Sequence, residues 1–407
     1  MAEPLSIDNV HKRFGSGVVA LDGVSLAVEA GTFLVLLGPS GSGKTTLIRS
    51  VAGIERISAG RITIGNHCVA SDRHHVPSER RRLSMVFQDY ALWPHLTAVE
   101  NVAFALRRHR LSGAERSRRA GEMLERVGLG PMRDRYPSEL SGGEQQRVAL
   151  ARSLVGEAAL VLCDEPLSNL DADLRERMRV EISELVRESG ATALYITHDQ
   201  SEAFALADRV GVLQRGALVQ LAEPEEVYAR PATPFVARFT GVAAELEVKV
   251  TGPARPRGRV GVEPVGLPLA REVVAEAVGP VPAGRGRLII RPSAVSLCEA
   301  TGEDRHVVGT VADVAFRGRG YELAVDLIGG GRVSGVFSSE RVARGGNVGL
   351  RLAEEGCLVY AEAPHSFETE SAAAARLEQE TEKSRLGGEL AGLAGKGTSG
   401  VVRAPGG

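Results

Sequence analysis

The spacing of apolar and polar residues changes several times along the chain. Residues 5–28 alternate in short runs broken by glycine, the two-residue period of half-buried strands, and predict antiparallel pairs. At Phe33–Leu37 the alternation gives way to five apolar residues in a row, as a strand buried on both faces requires. A glycine-rich loop and a helical pattern over 46–52 follow, and strand, loop, helix is the opening of a parallel α/β unit. Leu160–Cys163 and Ala193–Thr197 are further buried-strand candidates, bounded by helical patterns over 141–155, 172–188 and 200–207. Between Asp89 and Val155 the spacing is helical with basic faces, which predicts a helical subdomain (about 89–158) inserted into the α/β core.

A break falls near Arg230–Phe235 and Gly241. Beyond it, short alternating runs at 287–290, 309–314, 321–327, 332–337 and 348–352 lie between glycine-rich turns and predict a small β-barrel. From about Ser366 the chain is rich in Ala and Glu, then Gly, and reads as a low-complexity, disordered tail with at most a marginal helix over 368–386. The expected organisation is therefore 1–240, 241–365 and a 366–407 tail.

Length and composition narrow the classes. A chain of 407 residues exceeds one ordinary hydrophobic core, in line with two domains. With 43% hydrophobic and 25% charged residues the chain is globular and not disordered. Lys+Arg number 49 against 51 Asp+Glu, a net charge of -2, so bulk charge excludes a strongly basic nucleic-acid binder. Arg107, Arg108, Arg110, Arg116, Arg118 and Arg119 are accordingly read as solvated helix faces balanced by nearby glutamates, not as a nucleic-acid surface. Cys68, Cys163, Cys298 and Cys357 show no CxxC spacing, so neither a disulfide framework nor a zinc site is indicated, and a reducing compartment fits. The first ten residues lack the basic and apolar regions of a secretory signal, and no apolar run approaches the roughly 18 residues of a membrane helix.

The chemistry starts at Gly38, Pro39, Ser40, Gly41, Ser42, Gly43, Lys44 and Thr45, which match G-x-x-x-x-G-K-[ST] between a strand and a helix. Glycines let backbone N–H groups curl around an anion, and the helix N-terminus adds its partial positive charge. Lys44 can reach β- and γ-phosphates, and the Thr45 hydroxyl can ligate Mg²⁺. Asp164 and Glu165 end a buried strand, so the parallel topology carries them to the same edge as the loop. There Asp164 would support the metal and Glu165 would orient or deprotonate the attacking water. His198 follows the strand Ala193–Thr197 and arrives at the same edge, where it can bond a γ-phosphate. Gln88 lies where the core hands over to the helical insert and can sense metal or water. Ser141, Gly142 and Gly143 open a helix and make a second anion-binding start. The simple way to use both starts on one nucleotide is a head-to-tail homodimer.

These motifs together resemble the ATP-binding-cassette family: Gly38–Thr45 as Walker A, Gln88 as the Q-loop, Leu140–Gln145 as the signature and Leu160–Glu165 as Walker B. Ser168–Asp171 resembles the D-loop and His198 the switch histidine, and all six stand in family order within about residues 5–240. The finer resemblance is to ATPase subunits of binding-protein-dependent importers, through Gln88–Thr97 with Glu100 and Asn101, Thr197–Ala203, Pro224–Tyr228 and a C-terminal β-domain. Glu144–Gln146 with Ser168 and Asn169 leans toward the iron(III)/polyamine branch.

The resemblance implies an α/β P-loop NTPase core with antiparallel β and helical subdomains, followed by an OB-like β-barrel. It implies ATP and Mg²⁺, with Thr45, Gln88 and Asp164 at the metal, and Phe14, Thr46, Gln145 and Asp171 joining Gly38–Thr45 and Ser141–Gly143 at the nucleotide. It further implies a homodimer on the cytoplasmic face of the membrane, docked on two membrane-spanning permease subunits near Tyr90–Pro94, with an extracytoplasmic solute-binding protein indirectly involved and no nucleic acid. Phe14 stands where the family often has the Tyr that stacks on adenine; its ring keeps the stacking face but loses a hydroxyl. Trp93 replaces a more usual Phe in the region expected to meet the permease. Cassette ATPases of DNA repair or translation tend to carry coiled-coil insertions or two cassettes in one chain, and neither occurs here.

Overall fold

The alternating segment near the start forms two antiparallel strands, β1 (Leu5–Arg13) and β2 (Val19–Val28), that bury Leu5, Ile7 and Val10 against Leu21, Val24 and Leu26. The computed structural model describes residues 2–362 apart from Ser16, Glu157, 269–272 and 302–305. The tail over 366–407 and its helix at 368–386 lie outside the described residues. The chain continues through β3 (Phe33–Leu37), α1 (Lys44–Ala52), β4 (Ala59–Ile64), β5 (His67–Ser71) and β6 (Leu83–Val86). Sheet order β2-β1-β4-β5 makes the antiparallel layer.

The helical segment carries α2 (Ala98–Phe104), α3 (Gly113–Arg126) and α4 (Gly142–Leu154). Its arginines face solvent but are not bare: Arg118 pairs with Glu115 at 2.7 Å and Glu122 at 2.5 Å, and Arg119 with Glu115 at 2.9 Å. Then come β7 (Leu160–Asp164), α5 (Ala172–Ser189), β8 (Thr192–Thr197), α6 (Gln200–Leu206), β9 (Arg209–Gln214) and β10 (Ala217–Ala222). The central sheet runs β10-β9-β3-β8-β7-β6, parallel from β9 to β6 with β10 as an antiparallel edge. Every residue of β3, β7 and β8 is buried, which is why these strands read as continuous apolar runs.

Two short helices, α7 (Pro224–Ala229) and α8 (Pro234–Phe239), lead to ten further strands. These are β11 (Ala244–Val250), β12 (Arg259–Pro264), β13 (Val273–Ala277), β14 (Gly284–Ile290), β15 (Val295–Cys298), β16 (Val307–Phe316), β17 (Tyr321–Leu327), β18 (Arg332–Ser338), β19 (Asn347–Leu352) and β20 (Cys357–Ala361). A closed barrel, β11-β12-β13-β20-β14, is present as expected, but it takes only one of the five alternating runs read from the sequence, 287–290. The other four runs, joined by β15, form a separate five-stranded sheet, β15-β19-β16-β17-β18, packed on the barrel through a shared core that includes Leu246, Val295, Val325 and Leu350. Alternation marks a strand with one buried face and does not say which sheet it joins.

The junction between the two halves is held by one buried cation. Arg291 is 1% exposed, and its guanidinium donates to the carbonyls of Ala237, Gly241 and Tyr228 and to Thr240 Oγ1, with its charge centre 4.4 Å above the Tyr228 ring. Burial holds its pKa below the usual arginine value, and the Tyr360 hydroxyl adds a bond to Pro231 O at 3.0 Å. Arg291→Ala removes the guanidinium donor from the Tyr228 and Gly241 carbonyls and should lower stability by ~3 kcal/mol. Calorimetry checks this, and limited proteolysis should show new cleavage between 228 and 243; an unchanged melting curve refutes it.

Candidate active site at the strand edge

Parallel pairing sets the site. Leu37 stands beside Thr197, and Asp164 beside Ile196, so the loops after β3, β7 and β8 leave the sheet at one edge. The loop after β3 needs glycine at two points. Gly38 (φ 159°) leaves 2.4 Å between an added Cβ and Leu213 O, and Gly43 (φ 101°) leaves 2.5 Å to Ala20 O. Gly43 is also the N-cap of α1 and has no side chain to cap it, so the helix start stays open to an outside acceptor. Ser42 Oγ is buried with no hydrogen-bond partner. Lys44 folds onto its own loop and donates to Gly38 O at 2.7 Å and Pro39 O at 3.0 Å. Burial pushes its pKa down, opposed by the negative charges of Glu165 and Asp164. Thr45 and Thr46 follow in the first turn of α1, half-buried.

Asp164 is 4% exposed, and burial raises its pKa even though Arg49 Nε lies 3.8 Å away. Glu165 takes a left-handed φ of 46°, unusual for a residue with a side chain, and its carboxylate meets His198 Nδ1 at 3.0 Å. Its backbone is tied at both ends: its N–H donates to Ile196 O and its carbonyl accepts from Ser168 Oγ at 2.9 Å. Asn169 Nδ2 donates to the carbonyl of Gln88 at 3.0 Å, linking the segment after Glu165 to the end of β6. Asp171 caps α5 through Leu174 N at 3.0 Å. Cys163 lies beneath, its thiol pushed up to about 12 by burial and so inert.

The second helix start stands apart. Ser141 caps α4 and Glu144 returns the bond, a reciprocal pair. Gln145 was expected at the nucleotide, yet its amide nitrogen is spent on Pro137 O at 2.9 Å and Leu140 O at 3.1 Å, holding the loop before the helix. Phe14 is 38% exposed with Lys12 Nζ 4.7 Å from its ring centroid. Among the described residues, no hydrogen bond or ion pair joins Phe14, Ser141 or Gln145 to the cluster of Lys44, Asp164, Glu165 and His198.

Sequence reading missed Ser42 as an orphaned hydroxyl, Arg49 beside Asp164, and Arg152. Tyr90 and Ala91 have positive φ (61° and 46°), and Arg152 clamps both carbonyls, at 2.7 and 2.6 Å. That clamp shapes an apolar groove of about 730 Å³ lined by Met85, Phe87, Leu92, Trp93 and Phe104. Trp93 is 44% exposed and packs 5.4 Å from Phe104, and buried Asn101 bonds the main chain at Trp93, Leu96 and Thr97. Left-handed turns at non-glycine residues leave no signature in composition.

Comparison with known proteins agrees with this geometry. The family model described as ABC transporter matches residues 21–168, and that described as TOBE domain matches 288–359. The chain is similar to the Fe(3+) ions import ATP-binding protein FbpC of Brucella abortus, 44% identical over 322 residues, covering 79% of this chain and 87% of that protein. It is also similar to the spermidine/putrescine import ATP-binding protein PotA of Nitrosospira multiformis, 40% identical over 344 residues, 84% of this chain and 92% of that one. Among solved structures, cbiO1 from Clostridium perfringens, part of the ABC transporter complex cbiONQ, matches with a TM-score of 0.51 and 29% identity over 55% of this chain and 89% of that chain.

The raised pKa of Asp164 means that folding disfavours its charged form. The resulting loss of stability is present above the folded pKa and fades as pH falls toward the unfolded value of about 3.9. Asp164→Asn should therefore raise the melting temperature of the nucleotide-free protein at pH 7, with the gain shrinking toward pH 4. A scan at both pH values checks it, and a lower melting temperature at pH 7 refutes it.

Proposed function

This chain belongs to the ABC transporter ATPase family, and from that premise we propose that two copies clasp two ATP molecules head to tail and so drive a binding-protein-dependent importer. Its reaction is hydrolysis of ATP to ADP and phosphate, coupled to solute uptake. The cargo we assign is iron(III) or a polyamine, because relatives named for import of Fe(3+) and of spermidine/putrescine are 44% and 40% identical over most of their length.

One observation carries the head-to-tail reading. The chain holds two helix starts suited to phosphate, the uncapped one at Gly43 and the one that Ser141 caps, and among the described residues no hydrogen bond or ion pair brings them together. A second copy turned end for end lets the loop of one and the Ser141 start of the other meet one triphosphate. Backbone N–H groups from Gly38 to Thr45 cradle the phosphates, Ser42 Oγ gains the partner it lacks, and Lys44 leaves the Gly38 and Pro39 carbonyls for phosphate oxygens. Phe14 stacks on adenine, and Asp171 reaches the shared interface.

The residues at the strand edge fit a divalent cation: among the described residues the buried Asp164 has one ion pair, 3.8 Å long, and its charge acts on Lys44, which the threonine Thr45 follows on the first turn of α1. Thr45, Asp164 and Gln88 would hold Mg²⁺, which when bound draws charge from the phosphate oxygens. Glu165 accepts a proton from the water whose oxygen attacks the γ-phosphorus as the bond to the β-phosphate oxygen breaks. His198 pairs with Glu165 at rest and turns to the γ-phosphate when it is bound. Two permease subunits each seat a short helix in the groove at Trp93, on the cytoplasmic face of the membrane. Attachment to the membrane is through these partners; among the described residues no helix is long and apolar enough to cross it.

Glu165→Gln should keep ATP binding and lose turnover by roughly 10²-fold or more, the range for a lost general base; parent-like hydrolysis in a phosphate-release assay refutes the assignment. The same variant should pair when ATP is added, and Ser141→Arg in that background should stop pairing in sedimentation runs. Lys44→Ala should instead weaken nucleotide binding itself, and an unchanged affinity by calorimetry removes Lys44 from its role.

A further inference from the structure

We propose that Glu144 is a latch on the hydroxyl that Ser141 offers to the opposite copy's nucleotide, and that it sets the ATP concentration at which two copies close. The inference rests on the head-to-tail reading above and goes further, because it assigns the threshold of closure to one side chain.

The hydrogen bonds around Ser141 converge on one atom. Ser141 Oγ donates to Glu144 Oε2 at 2.8 Å, and the Ser141 backbone N–H donates to the same oxygen at 2.7 Å. Glu144 N returns a longer bond to Ser141 Oγ at 3.4 Å. A serine hydroxyl carries one proton. It therefore cannot donate to Glu144 and to a phosphate oxygen at once, and closing requires the first bond to open.

Two features make that bond hard to leave. The Ser141 N–H and hydroxyl hold the Glu144 carboxyl below its ordinary pKa, so the group is ionised, and a hydrogen bond to an ionised acceptor is about twice as strong as a neutral one. The same charge lies beside the place a γ-phosphate must enter, and like charges repel. Arg147, one of the cations that act on Glu144, is itself paired to Glu181 at 2.6 Å and does not cancel it. Arg135 is the other, and it is exposed to solvent.

The same reciprocal cap occurs at Thr97 and Glu100, where no phosphate is expected, so a cap alone is the competing account. Glutamine separates the two. A Gln three residues after the capping serine completes the same pair of bonds without the charge. Glu144→Gln in the full-length Glu165→Gln background should thus keep the cap, with a melting temperature lowered by no more than about 2–4 °C, and keep its nucleotide affinity at low protein concentration. It should close at an ATP concentration about fivefold lower or less, as a charge-assisted bond becomes a neutral one. Sedimentation velocity across an ATP titration reads the midpoint. An unchanged or higher midpoint, with Ser141→Arg still blocking closure, reduces Glu144 to a helix cap and overturns the latch. Closure of the Ser141→Arg variant at the parent's midpoint would instead refute the role given to Ser141, a different failure.

Discussion

The parallel register of β3, β8 and β7 is the constraint on which the chemistry depends. It puts Leu37 level with Thr197 and Asp164 level with Ile196, so three loops leave the sheet together. These strands are buried on both faces, so a one-residue slip would expose no apolar side; it would instead leave main-chain groups at the strand ends unpaired in the interior and carry Asp164 away from the edge. Gly38, Glu165 and His198 therefore meet without any contact between their own segments having to be strong. The left-handed φ of Glu165 is the local expression of this geometry: the chain turns sharply at the sheet edge, and bonds to Ile196 and Ser168 hold the turn.

Around that edge the polar groups are under-satisfied in a consistent way. Among the described residues Ser42 Oγ has no partner, α1 has no side-chain cap, Lys44 falls back on carbonyls of its own loop, and Asp164 has only a long pair with Arg49. Buried groups of this kind are unfavourable in the empty protein and are relieved by a bound anion and cation. Binding energy thus comes from removing an existing penalty as well as from new contacts. The second helix start behaves differently, since Ser141 and Glu144 satisfy one another. One helix start is uncapped and the other is closed on itself, an asymmetry that the proposed head-to-tail clasp would use.

Hydrogen bonds connect this centre to the Trp93 groove. Arg152 holds Tyr90 and Ala91 in a strained turn, and Asn169 ties that same segment, at Gln88, to the stretch after Glu165. Events at the γ-phosphate edge and the shape of the Trp93 groove are therefore joined by two hydrogen-bonded links. At the far end, Arg291 ties the first residue after β14 to the carbonyls of Tyr228 on α7 and Ala237 on α8.

Much of this was legible in the sequence. The fully apolar runs at 33–37, 160–163 and 193–197 became the buried parallel strands, and helices expected at 141–155, 172–188 and 200–207 fall at 142–154, 172–189 and 200–206. Lys44, Asp164, Glu165 and His198 were named from local pattern and meet at one edge, because a strand's end and the loop after it are encoded by neighbours in sequence. Partners distant in sequence were not legible. The strand at 357–361 closes the barrel against 284–290 and 273–277, the runs at 309–352 leave for their own sheet, Gln145 turns inward, and Arg152 and Arg291 find carbonyls far along the chain. Periodicity records which face of an element is apolar; which other element covers that face, and which carbonyl a buried cation reaches, is settled only when the whole core packs.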